Sequence, residues 1–77
     1  MDADKINTYV ATLRAGAEYN HRWCNDTPAD AVYTVIKGRL RPDIASSFRA
    51  ALAGSTTLDD ALQRLAAHMI ATMPAAK

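Results

Sequence analysis

The feature that most constrains the fold of this chain is the set of helix start and stop signals between its apolar segments. Pro28 and Pro42 each precede apolar residues at helical spacing, and proline is well tolerated at the first position of a helix. Thr27 and Thr57 each stand three residues before an aspartate, which is the spacing of a capping box. Together with the stop signal at Pro74, these residues divide the chain into four pieces of helical length.

Each piece carries apolar residues every three or four positions, the period of an amphipathic helix. We predict helices over residues of about 3–21, 28–40, 42–53 and 58–72. Because the joints are short, these helices must share one core, so the predicted fold is all-α, a compact four-helix domain over residues 1–77. The expected inward residues are Ile6, Tyr9, Val10, Leu13 and Ala17, then Val32, Val35, Ile36 and Leu40, then Ile44, Phe48, Ala51 and Leu52, then Leu58, Leu62, Leu65, Met69 and Met73.

Two residues near the first joint carry specific expectations. Glycine inside a helix costs about 1 kcal/mol relative to alanine, so Gly16 indicates close approach of another helix. Trp23 is expected to anchor the first loop on the core, since tryptophan buries a large area. The alternative is that Trp23 is exposed and forms a hot spot for a partner.

The charge balance argues against strong electrostatic partners. Nine Lys/Arg oppose eight Asp/Glu, for a net charge of +1, which gives no strong field for nucleic acid or a membrane surface. No run approaches the roughly 18 apolar residues of a spanning helix, so no membrane contact is predicted. A domain this small buries only about 60% of its unfolded surface, so a partner subunit would help its stability.

Candidate catalytic and metal-binding residues are few. His21, Cys24 and Asp26 offer a base, a thiol and a carboxylate, but catalysis needs them held in a cleft. Asp59 and Asp60 are adjacent and so point in different directions on a helix, where they suit the first turn. One cysteine and two distant histidines do not make a closed zinc site. We therefore predict no enzymatic activity, no metal and no cofactor.

The stretch KGRLRPD holds three cations, which raises the question of a nucleic-acid site. At about 100° per residue, Lys37 and Arg41 fall on one outer side of the predicted second helix, whereas Arg39 lies near its apolar stripe. The three cations therefore do not form one basic face. This argues against nucleic-acid binding by the domain alone, although a small nucleic-acid binder stays an open alternative.

One outer face of the predicted second helix is self-complementary. Its members, spaced by four, three and four residues, are Asp30, Thr34, Lys37 and Arg41. Two copies crossing antiparallel about a two-fold axis would place the acid of each near the cations of the other, as an isologous dimer requires. The alternative is an ordinary solvated face whose charges complement the helix dipole. An exposed Ile70 on the fourth helix is a further candidate contact.

Four stretches follow one another in a characteristic order: INTYVATLRAGAEYN, DTPADAVYTVIKGRL, LRPDI and TTLDDALQRLAAHM. Their order resembles a known family, the C-terminal capsid domain of the Gag polyprotein of Ty3/gypsy-type long-terminal-repeat retrotransposons and of host genes domesticated from them. The resemblance covers residues Ile6 to Met69 and departs from the family pattern at one point, where Arg39 separates Gly38 from Leu40.

The resemblance implies a structural role. Such domains associate, often through the second helix, to help close a capsid shell, so the implied partners are a second copy and the N-terminal capsid domain of the same polyprotein. It also implies a cytoplasmic location, in intracellular capsid-like particles. The alternative hypothesis is a helical protein–protein interaction or dimerisation module of the related SCAN type, in a cellular regulatory protein.

Overall fold

The computed structural model describes residues 3–72. In chain order the elements are α1 (Ala3–Trp23), α2 (Pro28–Ile36), a 3-10 turn (Lys37–Arg39), α3 (Pro42–Leu52) and α4 (Leu58–Thr72), and no strand occurs between residues 3 and 72. The predicted all-α four-helix fold is confirmed. The expected core residue Met73 and the Pro74 stop signal lie outside the described residues.

The helix starts follow the predicted capping chemistry. The backbone N–H of Asp30 donates to Thr27 Oγ1 at 3.2 Å, and that of Asp60 donates to Thr57 Oγ1 at 3.0 Å. The Asp60 carboxylate accepts in return from the N–H of Thr56 at 3.2 Å, one residue before the threonine cap. These bonds satisfy N–H groups that have no partner within the helix, which is why α2 and α4 begin where the sequence predicts.

The end of α1 lies two residues beyond the predicted position, at Trp23. Asn25 then adopts a left-handed conformation with φ of 57°, which asparagine tolerates better than most residues. The N–H groups of Cys24 and Asp26 both donate to the Asn20 carbonyl at 3.2 Å, so the chain folds back over the last turn. Asn25 is therefore the residue that ends α1, and no glycine or proline stands beside it to make this end easy to predict from the sequence.

The second helix is shorter than expected, because a 3-10 turn over Lys37–Arg39 replaces its predicted last turn. Leu40 and Arg41 are extended, with ψ of 145° and 146°. A residue before proline avoids the helical region, so Arg41 cannot be helical without strain, and Gly38 weakens the helix just upstream. The prediction of a helix to residue 40 was therefore wrong at its end.

The core is formed by one apolar face from each α-helix. Tyr9, Val35, Leu40 and Leu58 are half-buried and pack against its edge. Ile44, expected inside, is 37% exposed because the first turn of α3 lies largely outside the core. The buried apolar residues are Ile6, Val10, Leu13, Ala17, Ala31, Val32, Ile36, Phe48, Leu52, Ala61, Leu62, Leu65, Ala66 and Met69.

Helix α1 packs against α2 and α4, and α3 covers the other side of α2 and α4. The close approach of α1 to α2 occurs at Gly16, where a Cβ atom would lie 3.1 Å from Val35 Cγ1. The predicted role of this glycine as a helix-contact position is confirmed. Between α3 and α4 the rings of Phe48 and His68 form a T-shaped pair with a centroid distance of 4.5 Å and perpendicular planes.

Candidate interaction surfaces

The α2 outer face, which we define as Asp30, Thr34 and Lys37, is exposed over its whole length. The Asp30 carboxylate lies 4.0 Å from the guanidinium of Arg49 on α3, at the limit of an ion pair. Lys37 keeps helical backbone angles and has no ion-pair partner within residues 3–72. The acid at the start of this face is thus weakly engaged, and the cation at its end is available.

Arg41 does not share that face, contrary to the prediction, because α2 ends before it. Its guanidinium forms a two-pronged contact with the Asp43 carboxylate, with Nε–Oδ1 at 3.1 Å and Nη2–Oδ2 at 2.6 Å. Both side chains are largely exposed, and exposed ion pairs contribute only about 0–1 kcal/mol. Arg41 can therefore give up Asp43 for another partner at little cost.

The other two cations of KGRLRPD also diverge from Arg41. The Arg39 guanidinium lies over the ring of Tyr9, 5.9 Å from its centroid, where it covers a half-buried aromatic of α1. Lys37 is exposed at the end of α2. The stretch therefore directs three cations to three different places, and Arg39, the residue that departs from the family pattern, packs on α1.

A second exposed surface lies at the end of α1. Tyr19 and Trp23 are 60% and 69% exposed, so the expectation that Trp23 anchors the loop on the core was wrong. The helix continues through Trp23, and at about 100° per residue Tyr19 and Trp23 lie roughly 200° and 240° from the buried Ala17. Once α1 is known to reach Trp23, these angles from Ala17 are enough to place both aromatic residues on the exposed side of the helix.

These aromatic rings border a shallow, open groove. We call Tyr19, Trp23 and the half-buried Leu58 the aromatic patch. Glu18 and Arg22 flank it on α1, and Arg22 has no ion-pair partner among residues 3–72. The sequence indicated Trp23 as a possible hot spot but not Tyr19. With α1 predicted to end at residue 21, Trp23 was assigned to a loop, so the two aromatic residues were not recognised as neighbours one helical turn apart.

Two smaller features remain on α4. Ile70 is 47% exposed, as expected, and its predicted role as a contact stays a prediction. A second open groove runs between α1 and α4 and is bridged by the ion pair of Arg14 and Asp59 at 2.6 Å. That groove presents Asn7 and Gln63 at its rim. None of the described helices is both long and apolar enough to span a bilayer.

His21, Asp59 and Asp60, among the candidate catalytic residues, make local structural contacts. His21 Nδ1 lies 2.8 Å from the Asp26 carbonyl, and since a carbonyl only accepts, this nitrogen carries the proton. Cys24 is exposed and free. Asp59 pairs with Arg14, whereas the adjacent Asp60 caps α4, so the two acids do not act together. Residues 3–72 contain no group of three or more His, Cys, Asp or Glu arranged to hold a metal.

Comparison with known proteins adds no assignment to this geometry: no family model, curated protein or solved structure matches the chain.

Proposed function

We propose that this chain is a structural self-association domain of a Gag-like capsid protein, contributing dimer contacts to the assembly of a capsid shell. The observation that carries the proposal is the α2 outer face, which has an acid at one end and an available cation at the other. The motif order, which resembles Gag capsid domains from Ile6 to Met69, supports the same class of function.

The spacing of the charges suits an antiparallel pair of α2 helices. Asp30 and Lys37 are seven residues apart, which is about two turns and about 10.5 Å along the axis. A two-fold axis near Thr34 brings each Asp30 opposite the Lys37 of the second copy, so two identical ion pairs form. Thr34 is small enough to let the helices approach closely at the axis.

The strength expected of this contact is modest. Exposed ion pairs contribute about 0.2–1 kcal/mol each, so the two pairs set the orientation more than the affinity. Arg41 and Ile70 remain candidates for added contacts, with Trp23 as a separate anchor. We therefore expect a weak dimer in solution that is strengthened by high local concentration in a particle.

A charge-swap experiment tests the proposal. Lys37→Glu should weaken dimerisation because it faces the like charge of Asp30, and the double variant Asp30→Lys/Lys37→Glu should restore it. Light scattering or sedimentation over a concentration range measures the effect. Lys5→Glu, the same charge change at an exposed position of α1, is the control and should leave dimerisation unchanged. A strict monomer at millimolar concentration, insensitive to these changes, would overturn the proposal.

The second candidate function is a helical interaction module, SCAN-like, for a different protein. The exposed aromatic pair Tyr19 and Trp23 favours it, since such residues are enriched at binding hot spots. Capture of a defined heterologous helical domain that is lost in Trp23→Ala and unaffected by Lys37→Glu would support this candidate over self-association.

A further inference from the structure

The aromatic patch has no occupant within residues 3–72, and an acid and a cation of α1, Glu18 and Arg22, flank it. Along α1 the exposed positions Ala15, Glu18, Tyr19, Arg22 and Trp23 recur at spacings of three, one, three and one, which is one face of a helix. This face carries two large aromatic rings, one acid and one cation. It therefore has the composition of an interface that can pair with itself.

We propose that the aromatic patch is a second self-association contact, in which α1 of one copy crosses α1 of another antiparallel about a two-fold axis at Tyr19. This register places the two Tyr19 rings against each other. It also places Trp23 of each copy level with Ala15 of the other, where the small side chain leaves room for the indole. Both aromatic side chains, which are exposed to water in the single chain, thereby become buried in the contact.

The same register matches the charges. With the axis at Tyr19, Arg22 of the second copy lies level with position 16, two residues from Glu18, an axial offset of about 3 Å at 1.5 Å per residue. Side chains of this length bridge such an offset. Within its own chain Glu18 has only a 3.8 Å contact with Arg14, and Arg22 has no ion-pair partner among residues 3–72, so both are available.

The area available makes this contact weak when it acts alone. At about 200 Å² for each aromatic side chain, the exposed fractions of Tyr19 and Trp23 supply roughly 500 Å² over two copies. Stable interfaces bury about 1,200–2,000 Å² in total, so the flanking side chains must contribute and the isolated contact is transient. This argues for a contact that acts together with another.

The consequence for assembly rests on the proposed function. If the α2 outer face joins one neighbour and the aromatic patch joins another, each copy has two partners, and the product is a chain or a closed ring of copies rather than a closed dimer. The aromatic patch contact itself does not depend on the α2 outer face, because the two surfaces lie on different helices. The two can be tested separately.

Trp23 is the only tryptophan, so its fluorescence reports directly on the aromatic patch. We expect its emission to shift to the blue between dilute and concentrated protein as the indole leaves water. The shift should persist in Lys37→Glu, in which the α2 outer face is disabled. An emission that does not change with concentration overturns the aromatic patch contact, whereas a shift that vanishes in Lys37→Glu makes it dependent on α2 and overturns its independence.

Charge reversal identifies the register. Glu18→Arg should weaken the contact roughly tenfold, since two exposed ion pairs are lost, and Glu18→Arg/Arg22→Glu should restore it. Circular dichroism of each variant confirms that the helices are retained. A double variant as weak as the single one overturns the antiparallel register. A blue shift that requires addition of a different protein assigns the patch to that partner and overturns self-pairing.

Discussion

At the scale of single residues, the structure shows how little space some positions have. Gly16 faces Val35 where α1 and α2 approach each other, and a Cβ atom there would lie 3.1 Å from Val35 Cγ1. That distance is tighter than ordinary van der Waals contact, so a larger residue at position 16 requires the valine or the helix to move. Gly38 differs, because a Cβ atom added there would have no neighbouring atom within 4 Å.

We expect the effect of Gly16→Ala to depend on residue 35. Alanine gains up to about 1 kcal/mol of helix propensity, but overpacking costs about 1–3 kcal/mol, so the single variant should be neutral or less stable. In a Val35→Ala background the clash is absent, and Gly16→Ala should then stabilise by about 1 kcal/mol. Urea unfolding of the four proteins measures this coupling.

The matched control is Gly38→Ala, which meets open space and should stabilise by about 0.4–1 kcal/mol through the unfolded state. Equal effects of Gly16→Ala with and without Val35 would show that the glycine is not a packing requirement.

At the scale of elements, helix starts are better specified by local sequence than helix ends. Thr27 and Thr57 accept hydrogen bonds from N–H groups three residues later, as their local pattern predicts. The ends of α1 and α2 depend on the left-handed conformation of Asn25 and the extended conformation of Leu40. The spacing of apolar residues does not predict either conformation. This is why the four helices were predictable while two of their ends were not.

The cap of α4 should be worth a measurable share of the stability. Thr57→Ala removes the acceptor for the Asp60 N–H and should destabilise the fold by about 1 kcal/mol, within a range of about 0.5–2. Thr57→Ser keeps the hydroxyl and should stay within a few tenths of wild type. Chemical unfolding with an unchanged denaturant dependence measures the loss. Equal destabilisation by alanine and serine would contradict the capping role.

At the scale of the whole molecule, the candidate surfaces were only partly accessible to sequence reasoning. The α2 outer face was found because its charges follow one helical spacing, although Arg41 was wrongly included when α2 was taken to reach residue 40. The aromatic patch was missed as a surface because the exposure of Trp23 depends on where α1 ends. Exposure is a tertiary property: it depends on which elements cover a residue, and periodicity reports only which residues share a side.

A domain of this size with exposed aromatic residues should gain stability from its own concentration. If copies associate in the folded state only, association stabilises by about RT ln(1 + [L]/Kd), roughly 1.4 kcal/mol when the protein stands tenfold above Kd. For a domain of this length that amount raises Tm by roughly 5–10 °C. Thermal unfolding followed by circular dichroism over a hundredfold range of concentration measures the shift. The shift should be smaller in Lys37→Glu and in Glu18→Arg, and nearly absent when both substitutions are combined, because each removes one proposed contact. A Tm independent of concentration over that range, in wild type as in the combined variant, would contradict self-association through either surface.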